Sequence, residues 1–209
     1  MTKFYAFCRC LVGWFFKLFF PTKVFGPKKL EQKKTLLAAN HMSLIDPVIV
    51  GCNLKPQLYF WGKKELFDKK LIGWFLRKLG ATPINRGEPD IASVKAALTI
   101  LKNEKIFALF PEGTRNKNDC IDEKMLDLKN GLALLAIKSQ APIRLAIIYK
   151  KPKFLRKNYL YIDDEFTLDE FFGKKISADV LADASKFIQS KFDQAASKLS
   201  AMVNELKKK

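Results

Sequence analysis

A chain of 209 residues is long enough to close one substantial core and too short to call for several domains. Its formal net charge of +17 directs it toward anionic partners: nucleic acid, a membrane surface or phosphorylated substrates. Four cysteines with no CxxC pair, beside a single histidine, leave no donor set at zinc spacing, so no metal is expected.

The basic residues come as scattered pairs such as Lys28-Lys29, Lys63-Lys64 and Lys69-Lys70, not as a tail. No aromatic-basic interleaving of an RNA-recognition kind and no recognition-helix pattern accompanies them, so no nucleic-acid partner is expected.

Residues 4–20 are almost wholly apolar and aromatic, interrupted by Arg9 and Lys17. A spanning helix needs about 20 apolar residues, and each basic residue at mid-bilayer would cost about 2.5–3.5 kcal/mol. The expectation is a helix lying in one leaflet, with Trp14 and the phenylalanines inserted and Arg9 and Lys17 reaching phosphates. Residues 21–34 turn to Pro, Gly and Lys and read as a linker, leaving 35–209 as the main domain.

From there an α/β alternation begins. Thr35 to Ala39 reads as a short buried strand, and residues 47–53 as a helix opened by Pro47 with Asp46 as its N-cap. Residues 57–61 suggest a strand, Leu66 to Leu79 a helix, and Gly80 to Gly87 a turn-rich segment. Asp90 to Lys102 is an amphipathic helix, Ile106 to Phe110 a buried strand, and Leu126 to Ser139 an apolar helix. Strands at 141–149 and 159–162 follow, then a covering helix from Ser177 toward Leu206 with Ser177 as its N-cap. The pattern implies a mostly parallel central sheet flanked by helices.

Polar chemistry sits at three strand ends. His41 is the one side chain with an unperturbed pKa near neutrality, as a general base needs. Asp46 follows at a spacing that would put the two about 140° apart on a continuous helix, so the chain must turn between them for the pair to meet. Arg86 ends the turn-rich segment, and Glu112 and Arg115 follow the strand at 106–110. A base, its orienting carboxylate and two guanidiniums suit a substrate that carries both a phosphate and a hydroxyl. Gly113 would let backbone approach a ligand closely. Ser43 is read as a turn residue and not as a nucleophile.

On these residues the chain resembles the glycerolipid acyltransferase superfamily, specifically the 1-acylglycerol-3-phosphate O-acyltransferases. Asn40 to Asp46 meets the HX4D motif, Gly80 to Arg86 matches the second block, and Phe110 to Arg115 reads FPEGTR without a change. Lys129-Asn130-Gly131 resembles the family's K-x-G step. Ala141 to Ala146 lacks the second proline of the fourth block, and the motifs together span 40–146.

The resemblance implies transfer of a fatty acyl group from a thioester to the sn-2 hydroxyl of lysophosphatidic acid, giving phosphatidic acid. The thioester would be acyl-CoA or acyl-carrier protein, acting as co-substrate with no other cofactor. His41 would be the base and Asp46 its positioning partner. Arg86, Glu112, Gly113, Thr114 and Arg115 would belong to the acceptor's glycerol-phosphate site, Glu112 by fixing an arginine. Membrane lipids would be the partners, and the expected place is the cytoplasmic face of a membrane, through monotopic or single-helix association. Rival readings are a remodelling enzyme for another lysophospholipid and a basic nucleic-acid- or membrane-binding protein without catalysis.

Overall fold

The computed structural model describes residues 1–85, 90–122 and 125–208. The chain opens with α1 (Lys3–Phe19), capped by the Thr2 hydroxyl, which accepts from the Tyr5 amide. Strand β1 (Thr22–Phe25) follows, then β2 (Thr35–Ala39), α2 (Asp46–Asn53) and β3 (Leu58–Lys63). Two helices come next, α3 (Lys64–Phe67) and α4 (Lys70–Lys78), leading into β4 (Ala81–Ile84). The rest is α5 (Ile91–Lys102), β5 (Ile106–Leu109), α6 (Gly131–Ser139), β6 (Ile143–Ile148), β7 (Asn158–Phe166) and α7 (Ala178–Lys208).

The strands form one seven-stranded sheet in the order β1-β7-β6-β2-β5-β3-β4, and only the β6–β7 pairing is antiparallel. All five residues of β2 are buried, as a central strand covered on both faces must be. Leu36 stands between Phe107 of β5 and Ile143 of β6, and all three are fully buried. By the rule that parallel crossovers are right-handed, this strand order sends α2 and α4 to one face and α5 and α6 to the other; α7 packs beside α6 and over β6 and β7. Ile188, Phe192, Ala195, Leu199 and Val203 make the buried stripe of α7, and the Ser177 hydroxyl caps it by accepting from the Val180 amide.

Several expectations are corrected. The segment read as a linker supplies β1, which pairs in parallel with β7, and Leu30, which is buried in the core. The helix expected over 66–79 is split into α3 and α4, and the turn-rich segment holds the edge strand β4. Pro83 is tolerated there because an edge strand leaves one side of its backbone unpaired. α6 starts at Gly131, later than expected, because the Leu128 amide goes to the Gln189 side chain and the Lys129 amide to the Pro111 carbonyl.

The N-terminal apolar helix forms, but Arg9 does not face outward. Its guanidinium donates to the Leu54 carbonyl at the end of α2, 3.2 Å away. One face of α1 packs on α2, with Gly13 against Cys52 and the Tyr5 hydroxyl near Gly51. The other face leaves Phe7, Leu11, Trp14 and Leu18 exposed. Among the described residues no helix is long and apolar enough to cross a membrane.

Phe107 fills the centre of the sheet with no exposed surface and meets the Trp61 ring edge-on at 5.0 Å. Phe107→Ala is expected to cost about 3–5 kcal/mol in urea unfolding, the range for a cavity of that size in a core that cannot collapse.

Candidate active site

β2 and β5 lie side by side, and the right-handed crossover rule takes the chain from β2 to α2 on one face and from β5 to α6 on the other. Such a divergence opens a crevice at the C-terminal strand ends, where open α/β sheets bind ligands. His41 follows β2 there, and Glu112 follows β5.

The chain bends sharply after His41, so that the imidazole and the Asp46 carboxylate meet with Nδ1 to Oδ2 at 2.9 Å. The same Oδ2 accepts the backbone amides of Met42 at 2.7 Å and Ser43 at 2.6 Å. Asp46 is the first residue of α2 and turns back into the loop, so it does not cap the helix as expected. Its side chain is fully buried and that of His41 is 9% exposed. An oxygen already accepting two N–H groups is an acceptor to the ring as well, so Nδ1 carries the proton and the lone pair falls on Nε2. That tautomer is the one a general base needs. The Phe110 ring stacks on the imidazole, with centroids 4.3 Å apart, and fixes its plane.

The histidine loop is tied at both ends. The Asn40 amide group donates to the Ile148 carbonyl and accepts from the Ile148 amide, pairing the loop to β6. The His41 carbonyl accepts from the Asn116 amide at 2.6 Å.

Glu112 is 2% exposed. Burial pushes its carboxyl up to about 8, the Asp46 charge pushes the same way, and the His41 backbone amide opposes both. Its Oε2 has no hydrogen-bond partner among the described residues. The two carboxyls beside the imidazole thus differ in surroundings: the Asp46 Oδ2 accepts three donors, while burial leaves Glu112 largely neutral near pH 7. Among the described residues, Glu112 steadies the backbone amide of His41.

Gly113 has φ +70°, in the region that favours glycine, and a Cβ there would lie 2.9 Å from Cδ and Cε of Lys129. The lysine stem thus runs directly over the glycine. Thr114 and Arg115 are exposed just before Asn116, whose amide holds the His41 carbonyl. Arg86 lies outside the described residues. The Ser43 hydroxyl accepts from the Ile45 amide, the turn role expected of it.

The sequence profile of the family described as Acyltransferase matches residues 21–148, more than half of the chain. The chain belongs to the acyltransferase family. It is 32% identical over 141 residues to a 1-acyl-sn-glycerol-3-phosphate acyltransferase of Bacillus subtilis (strain 168), covering 66% of this chain and 68% of that one. A protein of the same name from Streptococcus pneumoniae (strain ATCC BAA-255 / R6) is 33% identical over 128 residues, 60% of this chain and 45% of its own. The solved 1-acyl-sn-glycerophosphate (LPA) acyltransferase PlsC from Thermotoga maritima superposes with a TM-score of 0.68 over 95% of this chain and 79% of that one. At 24% identity, that likeness speaks to the fold.

Three residues of this acyltransferase's crevice were not among the expected site residues: Asn40, Phe110 and Lys129. Each stands inside or beside a motif that was read, but a hydrogen bond to a distant strand, a ring stack and a stem lying over a glycine leave no mark in local spacing.

Glu112 also sets a pH dependence. Its folded value, about 8, lies above the ordinary 4.5, so the folded state holds an extra proton between them. The stability this group contributes is complete below pH 4.5 and is lost as pH rises through about 8. Glu112→Gln, which cannot ionise, is expected to flatten the fall in Tm across that window and to leave the variant the more stable above pH 8. Thermal unfolding across the pH range measures it; a wild-type-like slope would show that Glu112 is ionised in the fold.

Proposed function

We propose that this acyltransferase moves a fatty acyl group from an acyl thioester to the sn-2 hydroxyl of lysophosphatidic acid, forming phosphatidic acid. The observation that carries the reading is Nδ1 of His41 set 2.9 Å from an Asp46 oxygen that also accepts two backbone amides, a geometry that favours the proton on Nδ1. The names of the relatives supply the acceptor: they are 1-acyl-sn-glycerol-3-phosphate acyltransferases.

In this scheme Nε2 of His41 takes the proton of the acceptor hydroxyl as its oxygen attacks the thioester carbonyl. Asp46 steadies the imidazolium that results. The tetrahedral adduct collapses with a new C–O bond and a broken C–S bond, and the imidazolium returns its proton to the leaving thiolate. No acyl-enzyme is required. Arg115, with Arg86 at the end of the second block, would hold the acceptor phosphate. Gly113 and Thr114 would form the floor of that site. Acyl-CoA and acyl-carrier protein both fit as donors, being anionic partners for a chain of net charge +17.

The lipid nature of acceptor and product gives the outer face of α1 a role. Trp14 is 67% and Phe7 66% exposed, a cost in water that insertion into the headgroup region of the cytoplasmic leaflet would remove. The four cysteines are all free, in keeping with a reducing compartment.

Purified protein incubated with lysophosphatidic acid and, separately, acyl-CoA or acyl-carrier protein is expected to form phosphatidic acid; a panel of other lysophospholipids tests the acceptor in the same run. Product from another lysolipid alone would overturn the acceptor assignment. His41→Ala is expected to lower turnover by at least about 10²-fold with folding intact, and near-wild-type turnover would reject His41 as the base. Arg115→Ala should mainly raise the acceptor KM; unchanged KM and kcat would remove it from the acceptor site.

A further inference from the structure

α4 turns most of its side chains away from the core. Gly73 is its one buried residue, and a Cβ there would lie 2.5 Å from the Phe67 carbonyl oxygen. The glycine lets the helix settle directly on the end of α3. That seating turns the apolar side chains outward: Leu71 is 84%, Trp74 54% and Phe75 40% exposed. Residues 71, 74, 75 and 78 are three and four apart, so they form a single stripe along the helix.

The stripe continues α1. The Phe4 ring meets Trp74 edge-on at 5.7 Å and Phe75 at 5.9 Å, so the outer faces of the two helices join in one apolar surface. A soluble surface rarely exposes so much contiguous apolar area without a partner. Cations edge it. Lys70, Arg77 and Lys78 line a hollow with Phe67, Trp74 and one acid, Asp68. The Arg77 guanidinium lies over the Phe67 ring at 5.1 Å and the Lys78 ammonium over Trp74 at 6.0 Å.

Rings beneath and cations at their rim match a lipid interface, where aromatic side chains sit at headgroup depth and basic ones meet phosphates. Charge decides between occupants. A second copy of a chain carrying +17 would be repelled, whereas an anionic leaflet is attracted. We propose that α4 is a second membrane-inserting element, making one platform with α1, and that the hollow of Lys70, Arg77 and Lys78 receives phospholipid phosphate. The proposal rests on the membrane reading of α1 given above and adds a second, non-contiguous contact. Two contacts fix an orientation where one helix leaves the protein free to roll.

The test uses the full chain and vesicles. Trp61 serves as an internal reference, its indole N–H donating to the Ser93 carbonyl within the fold. Trp14→Phe leaves Trp74 as the interfacial reporter, and Trp74→Phe leaves Trp14. With brominated phosphatidylcholine mixed with phosphatidylglycerol, fluorescence is expected to be quenched in both single variants and largely spared in the double variant. Quenching absent from Trp14→Phe but intact in Trp74→Phe would show that α4 stays in water and overturn the proposal. Quenching absent from all would remove the membrane reading as well.

Leu71→Ser with Trp74→Ser is expected to weaken vesicle partitioning by at least about tenfold, from the apolar area withheld. Arg77→Gln with Lys78→Gln should abolish the gain that phosphatidylglycerol gives over phosphatidylcholine alone, and a gain left intact would count against the hollow. Phosphatidic acid formation from detergent-dispersed lysophosphatidic acid should be unchanged in the Leu71/Trp74 variant, which separates loss of docking from failure of the catalytic reading.

Discussion

One carboxylate oxygen organises this site. Oδ2 of Asp46 accepts two amides of the loop and the imidazole N–H of His41, so the shape of the loop and the tautomer of the ring are settled by a single acceptor. A side chain in that position cannot be exchanged without altering both. The loop is further stitched to β6 by Asn40 and to the segment after β5 by the Asn116 amide. Its geometry is therefore a property of the sheet, not of the local sequence alone.

The sheet in turn explains why Glu112 shares the crevice. Parallel neighbours β2 and β5 end at the same edge, and their helices leave in opposite directions, so residues far apart in sequence arrive together. Water is excluded there, which is why one carboxyl is raised to about 8 while the other gathers three donors. Keeping Glu112 largely neutral spares the site a second buried negative charge beside Asp46.

Much of this was legible in the sequence, and for physical reasons. Short apolar runs such as Thr35–Ala39 and Ile106–Leu109, bounded by turn residues, read as buried strands, and His41 can meet Asp46 only if the chain turns before Pro47. The sheet edges were harder. β1 is four residues set among Pro, Gly and Lys, and β4 carries a proline, so each lacks the run that marks a central strand. The inward turn of Arg9 was not legible either, since a cation in an apolar helix reads the same whether it meets a phosphate or a backbone carbonyl. The buried, neutral state of Glu112 depends on what surrounds it, and FPEGTR as a string carries a family resemblance but not that environment.

The seam between α1 and α2 has a mechanical consequence. α1 is fastened along α2 by Gly13 against Cys52, Tyr5 beside Gly51 and Arg9 on the Leu54 carbonyl, and the opposite end of α2 is Asp46 itself. Eight residues of helix, about 12 Å at 1.5 Å per residue, separate the last of those fastenings from the carboxylate that orients the ring. The two are ends of one short strut. Whatever surface receives α1, its height relative to the imidazole is set in advance, so under the proposed reaction a hydroxyl anchored at a given depth would meet the ring without any part of the protein having to travel.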